Sequence, residues 1–275
     1  MTNEYKIAVL LPTRGRTDAL TRSVKSIVEN VSDVKNIQII FGIDTDDEVG
    51  RNHFTSKVQP YLDDFGVAYK AVGFKPMGYV GLNRYYNGLA VAANADWLFV
   101  WNDDAVMETF DWDLVVKKHN GNFTLLKIHT HNEHPYSIFP IYPKEWYDLF
   151  GFLARHQMID AELSQIAYML DLITIVDIHA THDRADITGN NKDDTYKSKF
   201  CLEGNPASPV DFHNMRYGKA RMDDAEVIAT HLEKKGRDMS FWKAVKNGTQ
   251  DPWEKLKAND VNKQCVQRPL QTFLR

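Results

Sequence analysis

Short apolar runs, each closed by a polar turn and followed by a stretch of helical spacing, organise the first hundred positions. Ile7-Ala8-Val9-Leu10-Leu11 runs without alternation to Pro12, which suits a strand buried on both faces. Thr17-Asp18 offers an N-cap, and Leu20, Val24, Ile27 and Val28 then recur at helical spacing. A second buried strand over 37–43 ends at Asp44-Thr45-Asp46-Asp47, and a helix is predicted over 51–62. A third strand over 67–72 precedes a helix over 83–94 with Leu89 and Ala93 inward. A fourth strand over 97–101 ends at Asn102-Asp103-Asp104. Strand and helix alternating in this way predict a parallel sheet built from right-handed crossovers. Beyond Asp104 the pattern is mixed. Strands are expected over 123–128, 137–142 and 173–178, helices over 144–150 and 160–171, a long loop over 183–214, and helices from Asp223 onward, punctuated by Gly236, Gly248 and Pro252.

Three polar or acidic clusters fall directly after strands: Pro12–Arg16, Asp44–Asp47 and Asn102–Asp104. In an open α/β sheet the carboxyl ends of parallel strands share one edge, where ligands bind. Each turn alone is unremarkable; together at one edge they form a candidate site.

Composition narrows the class. A chain of 275 residues, 43% apolar and 25% charged, buries about three quarters of its unfolded surface and needs no staple. Aromatic residues at 12% exclude disorder as the main state. No apolar run nears the ~20 residues of a membrane span. Cys201 and Cys265 lie far apart and lack metal-ligand spacing. The N-terminus shows no signal peptide, so a reducing, cytoplasmic setting is expected. The net charge of −4 is uneven: residues 1–214 carry 20 Lys and Arg against 29 Asp and Glu, residues 215–275 carry 13 against 8. The expected division is therefore an acidic main unit over 1–214 and a basic, mainly helical extension over 215–275, which is either a solvated helical tail or a surface for an anionic partner.

The clusters suggest chemistry, each beside a plainer account. Adjacent carboxylates at 103 and 104 suit a hard divalent cation bridging a diphosphate, or a helix cap. Arg14 and Arg16 beside a helix start suit an anion, or pair with nearby acids. Asp44 can accept hydrogen bonds from a base or ribose, with Asp46 and Asp47 as turn formers. His179 and His182 close the strand over 173–178; their spacing lets one imidazole reach a metal. His129, His131 and His134 are assigned no metal. Asp160 and Glu162 open a helix, as an N-cap or as a general base.

Taken together these residues resemble the GT-A glycosyltransferases, especially the family-2-like group. Ile7–Arg16 (IAVLLPTRGR) looks like the group's opening strand and Pro-Thr turn, and Ile40–Asp47 (IFGIDTDD) like its second strand, whose terminal Asp touches the nucleobase. Gly81–Asp104 looks like the Asn/Arg helix start, the next strand and the DxD motif, here beginning with Asn102. Phe139–Glu162 resembles the acceptor half, and Val176–Tyr196 the closing strand with its metal histidine and an Asp-x-Tyr-like element at Asp194-Thr195-Tyr196. The last 75 residues or so match nothing in the group. The resemblance implies a GT-A-type, Rossmann-like sheet, mixed and mostly parallel, flanked by helices, with a helical C-terminal extension. It also implies a metal-dependent, inverting transfer from a nucleoside diphosphate sugar. Pro12, Thr13, Arg14, Arg16, Asp44, Asn83, Arg84, Asn102 and Asp103 would bind the donor. Asp104 with His182, or His179, would hold Mn²⁺ or Mg²⁺. Asp160, or Glu162, would be the catalytic base, and 183–214 a lid. The acceptor would be a glycan, a lipid carrier or a modified nucleic acid such as a DNA base. A nucleotidyltransferase would want a Gly-rich, Lys-containing turn, which Pro12–Arg16 lacks. A non-catalytic nucleotide-sugar-binding module of the same fold is the other alternative, hinted at by Asn102.

Overall fold

The computed structural model describes residues 6–130, 134, 136–183 and 215–254. The expected loop and lid over 183–214, apart from Asp183, lie outside the described residues, as do His131, the Asp194–Tyr196 element and residues 255–275.

Strands β1 (Ile7–Thr13), β2 (Ile37–Asp44), β3 (Ala68–Phe74), β4 (Trp97–Val100), β5 (Ala105–Met107), β6 (Leu125–Thr130), β7 (Ile141–Pro143) and β8 (Ile173–His182) form one sheet in the order β3-β2-β1-β4-β7-β6-β8-β5. The β1–β4 half is parallel throughout. β7 runs antiparallel to β4 and β6, β5 antiparallel to β8, and β6 parallel to β8. The mixed second half is where the hydrophobic pattern lost its regularity.

The absence of alternation in β1 has its expected cause. Ile7, Val9 and Leu11 join a hydrophobic cluster on one face of the sheet, Ala8 and Leu10 a second cluster on the other, and all five are fully buried. Each buried side chain of this size contributes about 1.5–3 kcal/mol. The first cluster is closed by α1 (Thr17–Glu29), by the run 54–62 and by α5 (Trp112–Lys117). The second is closed by α4 (Leu82–Ala92), α6 (Lys144–Phe150), α7 (Ile159–Met169), α8 (Met215–Lys234) and α9 (Ser240–Lys246). Between them α2 (Glu48–His53) and α3 (Gln59–Phe65) flank a π-helical turn over 54–58.

Some elements differ from the pattern-based expectation. Helix α8 begins at Met215, eight positions before Asp223, and Ala225, Ile228, Ala229 and Leu232 bury in the same cluster as α6 and α7. Helix α1 is capped by the backbone of Arg16, not by Thr17: Leu20 N donates to Arg16 O at 2.9 Å, and Asp18 sits in the first turn. Strand β5 is too short and too close to the acidic turn to show in the pattern. Several charges of α8 and α9, with Lys235 just after α8, are paired: Lys219 with Asp223, Lys243 with Glu233, Lys246 with Glu226, and His231 and Lys235 with Glu145. Among the described residues no helix is long and apolar enough to cross a membrane.

Candidate active site

The turn 101–104 carries the chain from β4, at the centre of the sheet, to β5, at its far edge. Trp101 N bonds Leu10 O at 3.1 Å, Ala105 N bonds Asn102 O at 3.2 Å, and Asp183 N bonds Asp104 O at 2.8 Å. In this register Ala105 pairs with His182. The backbone therefore brings Asp104 and His182 together, and Asp104 Oδ1 lies 3.2 Å from His182 Nε2, both side chains buried. Residues 178, 180 and 182 of β8 are buried and residues 177 and 179 exposed, so His179 points to the other face. There it stacks on His129 and bonds Asp177 at 2.9 Å.

Arg16 closes the acidic turn from the β1 side. Its Nη1 donates to Asp103 Oδ1 at 2.9 Å and to Asp104 Oδ2 at 3.0 Å. Thr13 Oγ1 donates to Asp103 Oδ2 at 2.8 Å. Burial raises the Asp103 carboxyl to about 6 despite Arg16, with Asp104 adding to the rise. Burial acts the same way on Asp104, but His182 and Arg16 outweigh it and hold that carboxyl below its ordinary value. Asp104 Oδ1 is buried and makes no hydrogen bond of good geometry, which leaves a lone pair for another electrophile.

A second network lies at the end of β2. Arg14 Nη1 donates to Asp44 Oδ2 at 2.8 Å and grips Asp46. Tyr85 OH donates to Asp44 Oδ1 at 2.5 Å and accepts from Met77 N at 2.9 Å. Asp47 caps α2 through Gly50 N and accepts from Gly15 N at 2.8 Å. A Cβ on Gly50 would stand 2.0 Å from the Asp47 carboxylate, so the cap needs glycine there. Pro12 is half-buried in β1, beyond the last residue of β1 that pairs with β4.

The remaining sequence-derived residues separate. Asn102 accepts from Tyr86 OH at 2.8 Å and lies 3.4 Å from His182 Nε2. Asn83 donates to the carbonyls of Ala154 and Arg155, so it clamps the 151–158 loop; Asn87 adds to the clamp by donating to Ala154 O and accepting from Leu153 N and Ala154 N. Arg84 is exposed. Glu162 is buried and accepts from Arg155 N and His156 N, both at 2.9 Å. Burial lifts it to about 7 against those two bonds. Asp160 is half-exposed and makes no hydrogen bond or ion pair among the described residues. Burial first, then the charges of Asp103, Asp104 and Asp160, hold the Tyr86 phenol well above its ordinary value. Asp160 and the acidic turn thus act on one hydroxyl. Tyr85 and Tyr86 were missed from sequence; the available signal was adjacent phenols on the helix that follows β3.

No family model matches the chain, and no curated protein matches it. Solved structures do. The mannosyltransferase PcManGT from Pyrobaculum calidifontis, in complex with GDP-Man and Mn²⁺, matches with a TM-score of 0.54 over 99% of this chain and 86% of its own, at 10% identity. S. aureus TarS 1–349 in complex with UDP-GlcNAc matches with a TM-score of 0.54 over 80% of this chain and 66% of its own, at 11% identity. GalNAc-T7 with UDP, GalNAc and Mn²⁺ matches with a TM-score of 0.52 over 66% and 44%, at 11% identity. The chain spans 60% of TarS 1–349 in its complex with UDP. At these identities the likeness is one of fold: this chain has the GT-A fold, and its structural neighbours are glycosyltransferases.

Proposed function

We propose that the crevice binds a nucleoside diphosphate sugar together with Mn²⁺ or Mg²⁺ and transfers the sugar, with inversion, to an acceptor hydroxyl. The observation that carries this reading is the pairing of Asp104 Oδ1 with His182 Nε2 at 3.2 Å, at the sheet edge that also holds Asp44 and lies within the electrostatic reach of Asp160. The donors fit a hard cation: neighbouring ligands of an octahedron with ~2.1 Å bonds stand about 3 Å apart. Among the described residues no three carboxylate, imidazole or thiol groups converge, so protein would supply two ligands and diphosphate and water the others. When bound, the cation supplies Lewis-acid stabilisation of the leaving diphosphate.

The chain's own residues do the rest. Asp44, oriented by Tyr85 and Arg14, presents a carboxylate to N–H groups of the base. Asp103, held by Thr13 and Arg16, fixes the floor beside the diphosphate. Asp160, free of any partner among the described residues, accepts the proton of the acceptor hydroxyl as its oxygen bonds the anomeric carbon and the bond to the diphosphate breaks. Glu162 is already committed to two backbone donors and stays structural.

A panel of nucleotide sugars screened for Mn²⁺-dependent thermal stabilisation tests the reading, because a ligand of the native state alone raises Tm. At least one UDP- or GDP-sugar is expected to raise Tm only with the cation. No response to any donor, with or without Mn²⁺, overturns it. Turnover of the stabilising donor separates an enzyme from a binding module.

A further inference from the structure

We propose that Arg16 keeps the Asp103–Asp104 turn closed to a bare divalent cation, so that cation binding depends on the nucleotide diphosphate. This rests on the donor reading above and adds a residue that controls the order of binding. Sequence alone left Arg16 either to an external anion or to nearby acids; the structure sets one guanidinium nitrogen across two buried carboxylates, at 2.9 and 3.0 Å. The repulsion of adjacent acids is thus already offset by a fixed positive charge.

A dication arriving between Asp104 Oδ1 and His182 Nε2 comes within a few ångströms of that guanidinium. At an effective dielectric of about 20, charges of two and one at ~5 Å repel by well over a tenfold factor in Kd. A guanidinium keeps its proton at every working pH, so this barrier does not titrate away. A diphosphate changes the balance. It brings negative charge to the cation and planar oxygen pairs on which the guanidinium can lie in its forked geometry. The main chain at Arg16 need not move for this. Gly15, at φ 67°, is tied to Asp47 through its N–H, and the Arg16 carbonyl is fixed to Leu20 N; only the side chain has to turn. By linkage, cation and nucleotide then strengthen each other's binding by one common factor.

The test is a Mn²⁺ titration of the full chain, following free Mn²⁺ by electron paramagnetic resonance, alone and with UDP or GDP. Wild type is expected to bind Mn²⁺ at least tenfold more tightly with the matching nucleotide than without it. Arg16→Gln is expected to bind Mn²⁺ alone at least tenfold more tightly than wild type, and that gain should vanish in the double variant with Asp104→Ala. Arg16→Lys keeps the charge and should stay within about threefold of wild type. Circular dichroism checks that each variant folds. If Arg16→Gln binds Mn²⁺ alone no better than wild type, while wild type with nucleotide does bind it, the proposal is overturned and the donor reading stands. Wild type binding Mn²⁺ equally well with and without nucleotide also overturns it, whatever the variants do. Absence of Mn²⁺ binding by wild type with either nucleotide overturns the donor reading, and this proposal with it.

Discussion

On the β1–β4 side of the crevice Asp44, Asp46, Asp103 and Asp104 each hold a cationic or hydroxyl partner, drawn from Arg14, Arg16, Thr13, Tyr85 and His182. On the α7 side the two carboxylates divide the work. Glu162 is buried on backbone donors, whereas Asp160 is half-exposed and makes no hydrogen bond or ion pair among the described residues. The first side is tied up in ion pairs and hydrogen bonds; the second leaves one carboxylate uncommitted among the described residues. Preorganised charge suits recognition of a diphosphate, and an uncommitted carboxylate suits proton transfer.

The contrast can be broken in several ways. Asp104→Ala should lower transfer by roughly four orders of magnitude and remove the Mn²⁺-dependent part of nucleotide stabilisation; retention of that part in a melting assay would take Asp104 out of the cation site. Asp160→Asn should lower transfer by about three orders of magnitude and leave nucleotide Kd within twofold. If calorimetry finds nucleotide binding lost as well, the residue belongs to the donor side. Glu162 titrates near 7 in the folded chain against an ordinary 4.5. The folded state therefore binds its proton more tightly, and stability from this group is present below pH 4.5 and is lost as pH rises through 7. Urea unfolding should show a loss of about 1.4 kcal/mol per pH unit across that window. Glu162→Gln should flatten the slope while leaving nucleotide affinity alone; an unchanged slope would mean that another group titrates. The smallest effect is expected for Tyr85→Phe, which removes the hydroxyl between Met77 N and Asp44. Nucleotide affinity should fall about fivefold, the ~1 kcal/mol of one typical hydrogen bond, and an unaltered Kd would detach Asp44 from the base.

Much of the first half was legible from sequence. Both-face burial in β1, β2 and β4 leaves continuous apolar runs, and the strand ends announce themselves by abrupt polarity. The choice between Asp160 and Glu162 was partly legible: residues two apart on an α-helix point about 200° apart, so one crevice admits one of them, but α7 is buried almost all round and gives no stripe to say which. Pairings were out of reach. Arg16 meets Asp103 across 87 positions, and Asn83 meets Arg155 across 72. No local pattern encodes contacts at such range; they come from strand order. The basic excess toward the C-terminus was legible as composition, and most of it falls in residues 255–275, outside the described residues.

The separation of Asp104 from His182 follows from the antiparallel pairing of β5 with β8, a backbone ladder that no neighbouring side chain dictates. Changes in the walls of the crevice can therefore alter which molecules are admitted without disturbing that spacing. A scaffold with this division holds one carboxylate–imidazole pair steady while the surface around it changes.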